Sequence, residues 1–162
     1  MNSDKIEKSI NKNSLSQYTS NPTVKNERGW YFFDLSGEVL GRAAVEISRI
    51  LRGKNNRDFI YNLDLGNHIV LINSDKVVLT GNKLANKKYY NYSGYPGGMR
   101  ERTSEVMLKK YSQELVYRVI KGLMPHNKLS RQQLKRLFIY TGVDHPHKAQ
   151  EKNFVLINKV SK

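Results

Sequence analysis

The chain has 162 residues, 28 Lys and Arg against 14 Asp and Glu, a formal net charge of +14, and no cysteine. The lack of cysteine excludes disulfide scaffolds, thiolate zinc sites, iron–sulfur clusters and cysteine nucleophiles. No apolar run approaches the roughly 18 residues that a membrane helix needs, so a membrane protein is not expected. So basic a chain repels itself unless a polyanion neutralises it, and the candidate partners are nucleic acid, an anionic membrane and an acidic protein.

The first 28 residues are predicted to form a flexible N-terminal extension. They are rich in Asn, Ser and Lys and contain few large apolar side chains, so burial cannot offset the entropy lost on ordering them. Their acidic residues argue against an uncleaved organelle-targeting peptide. Residues 29–150 are expected to form a single α/β domain, and residues 151–162 a C-terminal tail with a short element at 155–157.

The first half of the domain shows strand and helix patterns in alternation. Residues 30–33 are aromatic and predict a strand, and residues 68–73 and 77–80 predict two more. Residues 38–51 carry apolar side chains at helical spacing, and Arg52, Gly53 and Lys54 form a basic, glycine-terminated helix end. This order of elements indicates an α/β fold with a mostly parallel sheet.

The second half contains a segment of different character. Residues 89–98 include four tyrosines and three glycines, which predicts a long loop. Helices are predicted at residues 104–110, 113–123 and 131–137, and a last strand at 138–140. The expected architecture is a compact three-layer α/β domain, with a mostly parallel four-stranded sheet flanked by helices.

The positive charge is concentrated in one third of the chain. Residues 81–136 contain 13 Lys and Arg and only 3 Asp and Glu, which gives a net charge of +10. Tyrosines lie among these cations, and stacking combined with phosphate contact is typical of RNA binding. The glycine-rich segment 93–98 is neither a Walker A loop nor a dinucleotide-binding fingerprint.

Three histidines suggest an alternative chemistry. His145, His147 and Asp144 lie close together in the sequence, and His126 precedes them. Zinc sites usually need three or four well-placed ligands, and no nucleophile–base or paired-carboxylate arrangement is recognisable. No catalytic residue, metal or cofactor is therefore expected, although an RNA-processing enzyme that uses the His145 and His147 region stays an open alternative.

Nine short motifs occur in an order typical of one family. The chain resembles the bacterial-type ribosomal protein L-thirteen of the large subunit over roughly residues 29–150. The family often has His where this chain has Tyr92, and Ser130, in place of a frequent Gly, can cap the helix that follows. The motifs are Trp30, Leu40-Gly-Arg42, Arg52-Gly-Lys54, Asn73 through Lys76, Thr80-Gly-Asn-Lys83, Ser93-Gly-Tyr-Pro-Gly-Gly98, Gly122-Leu-Met-Pro125, Leu129-Ser-Arg131 and His145-Pro-His147.

The resemblance implies a structural protein that binds large-subunit rRNA beside neighbouring large-subunit proteins and supports early subunit assembly and translation. It implies no catalysis, no small-molecule substrate and no membrane, and a location on ribosomes of a plastid stroma or a bacterial cytoplasm. A basic RNA-binding regulator that acts off the ribosome is a further alternative. Family members have RNA-facing segments at the positions of Arg42, Lys54, Lys83, Gly97, Gly98, Lys121, Arg131 and His147. The remaining predicted RNA contacts are Arg52, Lys87, Lys88, Tyr92, Ser93, Tyr95, Arg100, Lys128, Lys135, Arg136 and His145.

Overall fold

The computed structural model describes residues 28–156, with side chains through residue 150. The predicted extension at residues 1–28 therefore lies outside the described residues except for its last position, and so does the end of the predicted tail. The strands are β1 (Trp30–Asp34), β2 (His68–Ile72), β3 (Lys88–Tyr92), β4 (Met99–Thr103), β5 (Leu137–Ile139) and β6 (Phe154–Leu156). The α-helices are α1 (Leu40–Arg52), α2 (Lys83–Asn86), α3 (Ser104–Lys110), α4 (Ser112–Leu123) and α5 (Lys128–Leu134).

The main sheet is parallel and has the strand order β5-β2-β1-β6. Strand β1 pairs with β2 along its whole length, and β6 pairs with β1 from the other side. The prediction of an α/β fold with a parallel sheet is confirmed, as are the strands at residues 30–33 and 68–73. The fourth strand comes from residues 154–156, where a short element was predicted at 155–157, inside the segment otherwise predicted to be a tail.

The strand predicted at residues 77–80 is wrong. Asn73 adopts a left-handed conformation and a 3-10 turn follows at Ser74–Lys76, which leads the chain out of the sheet. Val78 then forms a single parallel bridge with Val39, just before α1. Its N–H donates to the Glu38 carbonyl and its own carbonyl accepts from Leu40. The backbone of this segment therefore hydrogen-bonds to the start of α1 and does not extend the sheet.

The helices cover one face of the sheet. Because side chains alternate along a strand, Phe33, Ile69 and Leu71 point to one side, where they form the core with α1, α3, α4 and α5. Trp30 and His68 point to the other side. That side is covered by an irregular segment that includes His145 and His147 and continues into a 3-10 turn at His147–Asn153. In the described part of the chain, the expected third layer is therefore an irregular segment with a 3-10 turn and not a layer of α-helices.

Helix α1 ends where the sequence predicts, and its end positions the following loop. Gly53 has a φ of 79° and its N–H donates to the Ile50 carbonyl at 2.9 Å. A Cβ at this position would collide with the backbone of Leu65. Glycine is therefore required by both conformation and space. The close approach holds the loop of residues 54–65 against the end of α1.

The predicted loop at residues 89–98 is a β-hairpin, so that prediction is wrong. Strands β3 and β4 pair over five positions, from Lys88 opposite Thr103 to Tyr92 opposite Met99. Only the connection at residues 93–98 is irregular. Tyrosine favours extended backbone, and cross-strand pairs stabilise the two strands although much of their surface is exposed.

The helices of the second half confirm two predictions and shift the third. Helix α3 matches residues 104–110, and α4 begins one residue before the predicted start. Helix α5 begins three residues before its predicted start, because the Asn127 side chain accepts a hydrogen bond from the Ser130 N–H at 2.7 Å and caps it. Ser130 is thus inside the helix and is not its cap. The early end of α5 lets Leu137 begin β5, where the prediction began the strand at 138.

Candidate nucleic-acid interface

The β3–β4 hairpin presents an aromatic face to solvent. Residues directly opposite each other in an antiparallel pair share a face, which places Tyr90, Tyr92 and Met99 together. Tyr90 and Tyr92 are 57% and 60% exposed. The other face is anchored to the body, where the Arg102 guanidinium lies 4.3 Å from the Tyr111 ring centroid. The predicted contact Tyr92 is therefore on an open surface suited to base stacking.

The hairpin connection carries a further exposed tyrosine. Tyr95 is 74% exposed at the tip. Gly97 has a φ of 72°, and a Cβ at Gly98 would collide with the Ser93 hydroxyl. These glycines are required by the shape of the turn whether or not RNA approaches them. The structure brings the predicted contacts Ser93, Tyr95, Gly97 and Gly98 together in one exposed turn.

The cations of residues 81–136 divide into two groups. Some are neutralised: Lys88 pairs with Glu101 at 3.1 Å and Lys109 with Glu105 at 2.7 Å. Arg102 and Arg118 share Glu114, and Arg136 pairs with Asp64. Among the side chains of residues 28–150 the others form no ion pair, which leaves their charge available to an outside anion. These unpaired cations are Lys83, Lys87, Arg100, Lys110, Lys121, Lys128, Arg131 and Lys135.

A second group of basic residues surrounds the turn between α4 and α5. Lys121 and Arg131 line a cavity of about 230 Å³ together with Pro125 and His126. Arg52, from the end of α1, lines a neighbouring cavity of about 320 Å³ on the other side of the turn. Arg52, Lys121 and Arg131 thus converge here, and two further exposed cations flank them, Lys128 at the start of α5 and Lys135 directly after its end.

Other predicted contacts lie apart from this turn. Arg42 is exposed in the first turn of α1, about 15 Å from Arg52 at a rise of 1.5 Å per residue. Lys54 is exposed in the loop after α1. Lys83 donates to the Thr80 hydroxyl at 3.4 Å, and Lys87 lies 5.4 Å from the Tyr89 ring centroid, which places both near the base of the hairpin.

Arg136 has an internal partner. Its Nη1 donates to Asp64 Oδ2 at 2.6 Å, and its Nη2 donates to Oδ1 of the same carboxylate. The guanidinium side chain is only 9% exposed. Burial raises the pKa of Asp64, but the hydrogen bonds and charge of Arg136, with the Gly66 N–H and Arg28, outweigh burial and hold it below its usual value. The geometry accounts for Arg136 as a structural residue, so we leave it out of the proposed interface.

His145 and His147 pack on the sheet face opposite the helices. His145 is buried and its ring centroid lies 5.6 Å from that of Phe32. His147 Nε2 lies 3.0 Å from the Tyr140 hydroxyl, and the Trp30 ring is 5.3 Å away. His126 lines the cavity beside Pro125, so the structure does not unite the three histidines. Among the described residues, no group of three or more His, Asp or Glu could hold a metal ion.

Two histidines on this face of the sheet, His68 and His147, predict a pH-dependent stability. Burial lowers the pKa of His68, helped by the charges of Arg136, Arg28 and His147, and burial and His145 lower the pKa of His147. The folded protein then binds fewer protons than the unfolded chain below the ordinary value of 6.5. The contribution of His68 and His147 to the free energy of unfolding is therefore present in full above pH 6.5. It decreases as the pH falls from 6.5 toward the lowered pKa values of the folded state.

We expect the urea midpoint to fall between pH 7.5 and pH 5.5, and to fall less in a His147→Asn variant. His126→Asn, at an exposed position, is the matched control and should keep the wild-type dependence. A midpoint that stays level or rises on acidification would contradict the assignment of neutral imidazoles to the folded state.

Several residues around the α4–α5 turn were missed by the sequence reasoning. Phe59, Tyr61 and Gln133 line the larger cavity beside Arg52, yet none lies in a recognisable motif. Tyr61 is 77% exposed, and an aromatic residue in the polar, aperiodic segment 54–64 was the available signal. No helix in residues 28–156 is long and apolar enough to span a membrane.

Comparison with known proteins assigns the chain to a family. A model described as Ribosomal protein L13 matches residues 28–146. The Large ribosomal subunit protein uL13 of Ureaplasma parvum is 52% identical over 124 residues, which cover 76% of this chain and 84% of the relative. Those of Syntrophotalea carbinolica and Malacoplasma penetrans are 48% and 45% identical, over 77% and 83% of this chain and 88% and 96% of the relative. The family model spans strands β1, β2 and β5 of the main sheet, the α-helices and the hairpin, and this chain therefore belongs to the ribosomal protein L13 family.

Proposed function

We propose that this chain is a structural constituent of the large ribosomal subunit that binds large-subunit rRNA and supports early subunit assembly and translation. The relatives that it matches bear the name of large-subunit proteins. The observation that supports RNA as the partner is the set of cations in residues 81–136 that form no ion pair among the described side chains. Charges that the protein leaves unneutralised are the ones that release counterions when phosphates bind.

The proposed contacts form two surfaces. The first, the hairpin surface, comprises Lys83, Lys87, Tyr92, Ser93, Tyr95, Gly97, Gly98 and Arg100, and also Lys88, which would exchange its ion pair with Glu101 for a phosphate. The second, the turn surface, comprises Arg52, Lys121, Lys128, Arg131 and Lys135. Arg42, Lys54 and His147 are proposed as separate contacts, and His145 as a residue that supports His147 from beneath. Phosphate contacts from the cations would set the register of RNA on which the tyrosines stack.

The partners and the location follow from the same family. We propose large-subunit rRNA and neighbouring large-subunit proteins as partners. Residues 29–150 are proposed as the RNA-binding domain. The relatives named above are bacterial, which favours a bacterial ribosome. A plastid location finds no support among them.

The proposal predicts a steep response to salt. If about six phosphates are neutralised, the logarithm of the binding constant should fall against the logarithm of salt concentration with a slope of about −4 to −5. Filter binding of purified protein to large-subunit rRNA over a salt series would measure the slope. A binding constant that does not change with salt concentration would contradict binding through phosphate contacts.

Co-sedimentation separates a ribosomal protein from a regulator that acts elsewhere. A component of the large subunit should migrate with large subunits after a moderate salt wash, in stoichiometric amount. Recovery only in the free fraction would favour an off-ribosome regulator, and turnover of labelled RNA that is lost in His147→Ala would favour the enzyme alternative.

A further inference from the structure

The larger cavity beside the α4–α5 turn has the dimensions of a binding site. Its volume is about 320 Å³, at the lower end of the roughly 300–1,000 Å³ found for small-ligand pockets. One wall comes from the loop after α1 and carries Phe59 and Tyr61. The opposite wall comes from α5 and its capping residue Asn127. The loop is held in place by a hydrogen bond from the Asn56 side chain to the Leu65 carbonyl at 3.2 Å.

Two buried polar side chains line the α5 wall. Ser130 and Gln133 lie one helical turn apart, and each is only 3% exposed. Among residues 28–150, whose side chains the structure describes, neither the Ser130 hydroxyl nor the Gln133 amide has a hydrogen-bond partner. Neither polar group is among the fully buried side-chain atoms that lack a partner, so both are still open to the cavity. This wall is therefore suited to a ligand with both donors and acceptors.

The facing wall is aromatic. The ring centroids of Phe59 and Tyr61 are 5.1 Å apart in an edge-to-face arrangement. Tyr61 is largely exposed, whereas Phe59 is half-buried and Leu63 extends the apolar surface behind them. Arg52 lies at the same cavity without an ion-pair partner among the described residues. The site thus combines an aromatic surface, an amide and a cation.

We propose that this cavity receives one unstacked nucleobase of the RNA bound on the turn surface, an inference that rests on the proposed function. The aromatic side chains would contact the face of the base, the Gln133 amide and Ser130 hydroxyl its polar edge, and Arg52 the adjoining phosphate. Sequence-specific RNA recognition commonly uses extruded bases held in this way. A phosphate alone leaves the aromatic wall unused, and an apolar protein side chain leaves Gln133 and Ser130 unpaired.

The test compares two neighbouring glutamines of α5. Gln133→Met keeps the volume and removes the amide, whereas Gln132→Met makes the same change at an exposed position that lines neither cavity. Gln133→Met should lower the affinity for large-subunit rRNA about tenfold, as expected for loss of one base contact. The salt slope should stay as in the wild type, because no phosphate contact is lost.

A second pair of variants covers the case in which Gln133→Met folds poorly. Tyr61→Leu changes a mostly exposed ring and should weaken RNA binding to a similar extent. Tyr117→Leu, on α4 and outside both cavities, should not. Ultraviolet irradiation of the wild-type complex should join RNA to the tryptic peptide of residues 58–76, which contains Phe59 and Tyr61.

The outcomes separate this inference from the proposed function. If Gln133→Met and Tyr61→Leu bind as their controls do, or if no cross-link forms on peptide 58–76, the base pocket is overturned while steep salt dependence of the wild type still supports RNA binding. If these two variants bind rRNA normally but are incorporated less into large subunits, the cavity holds a protein side chain and the inference fails. If the wild-type protein does not bind rRNA, both fail.

Discussion

Replacing Arg136 with methionine is expected to lower the free energy of unfolding by about 3–5 kcal/mol, the range for breaking a buried ion pair by removal of one partner. Methionine keeps the length of the side chain but leaves the Asp64 carboxylate, itself only 17% exposed, with the more exposed Arg28 as its remaining cation. The Arg28 guanidinium lies 3.6 Å from the carboxylate. Urea unfolding at pH 7 measures the change.

The ion pair matters because of where it lies in the chain. Asp64 and Arg136 are 72 positions apart, and Arg136 immediately precedes β5. The Arg136 carbonyl accepts a hydrogen bond from the Ile69 N–H at 3.0 Å, at the junction of β2 and β5. Loss of the pair therefore releases the loop before β2 and the edge strand together.

A double replacement is the control for this prediction. Asp64→Asn with Arg136→Met removes both charges, so the loss of stability should be smaller than the sum of the two single losses. Additive effects, or a loss below about 1 kcal/mol in Arg136→Met, would show that the pair contributes no more than a surface ion pair.

The acid response of Asp64 follows from its lowered pKa. A carboxylate with a folded pKa below the unfolded value of 3.8 stabilises the fold above that value. The contribution decreases as the pH falls through 3.8 toward the folded value. In Arg136→Met the cation that opposed burial is gone, so the pKa of Asp64 should rise relative to the wild type and this acid-side contribution should shrink.

The sequence predicted the elements whose signal is local. Strands β1 and β2 and helices α1, α3 and α4 carry aromatic runs or helical periodicity over their own length, and all were located within two residues of their bounds. The hairpin was missed because its strands are not fully buried and lack the pattern of core strands. Its order comes from cross-strand bonds and from Arg102 against Tyr111, which lie outside any local window.

The candidate site was predictable in composition but not in pairing. Charge counting located the basic third of the chain, yet Lys88 and Lys128 are indistinguishable in the sequence. Only the structure shows that Lys88 pairs with Glu101 across the hairpin whereas Lys128 forms no ion pair among the described side chains. The cavity could not be predicted from the sequence either, because its walls come from segments about 70 positions apart.

Removing two unpaired cations from the turn surface should weaken RNA binding strongly. The variant Lys128→Gln with Arg131→Gln removes two proposed phosphate contacts on α5, so the magnitude of the salt slope should decrease by about 1.5. Near 0.1 M salt the corresponding loss of affinity is about 30-fold. Filter binding to large-subunit rRNA across the salt series gives both values from one set of measurements.

The matched control removes the same net charge from paired cations. Arg49 and Lys109 are exposed but form ion pairs with Glu46 and Glu105 at 3.4 Å and 2.7 Å. If unpaired cations bind the phosphates, Arg49→Gln with Lys109→Gln should change affinity only a fewfold and leave the slope nearly unaltered. Equal losses in the two double variants would mean that RNA responds to net charge alone and that the turn surface has no special role. A larger loss in the Arg49 and Lys109 variant would place the RNA interface near those residues and not at the turn surface.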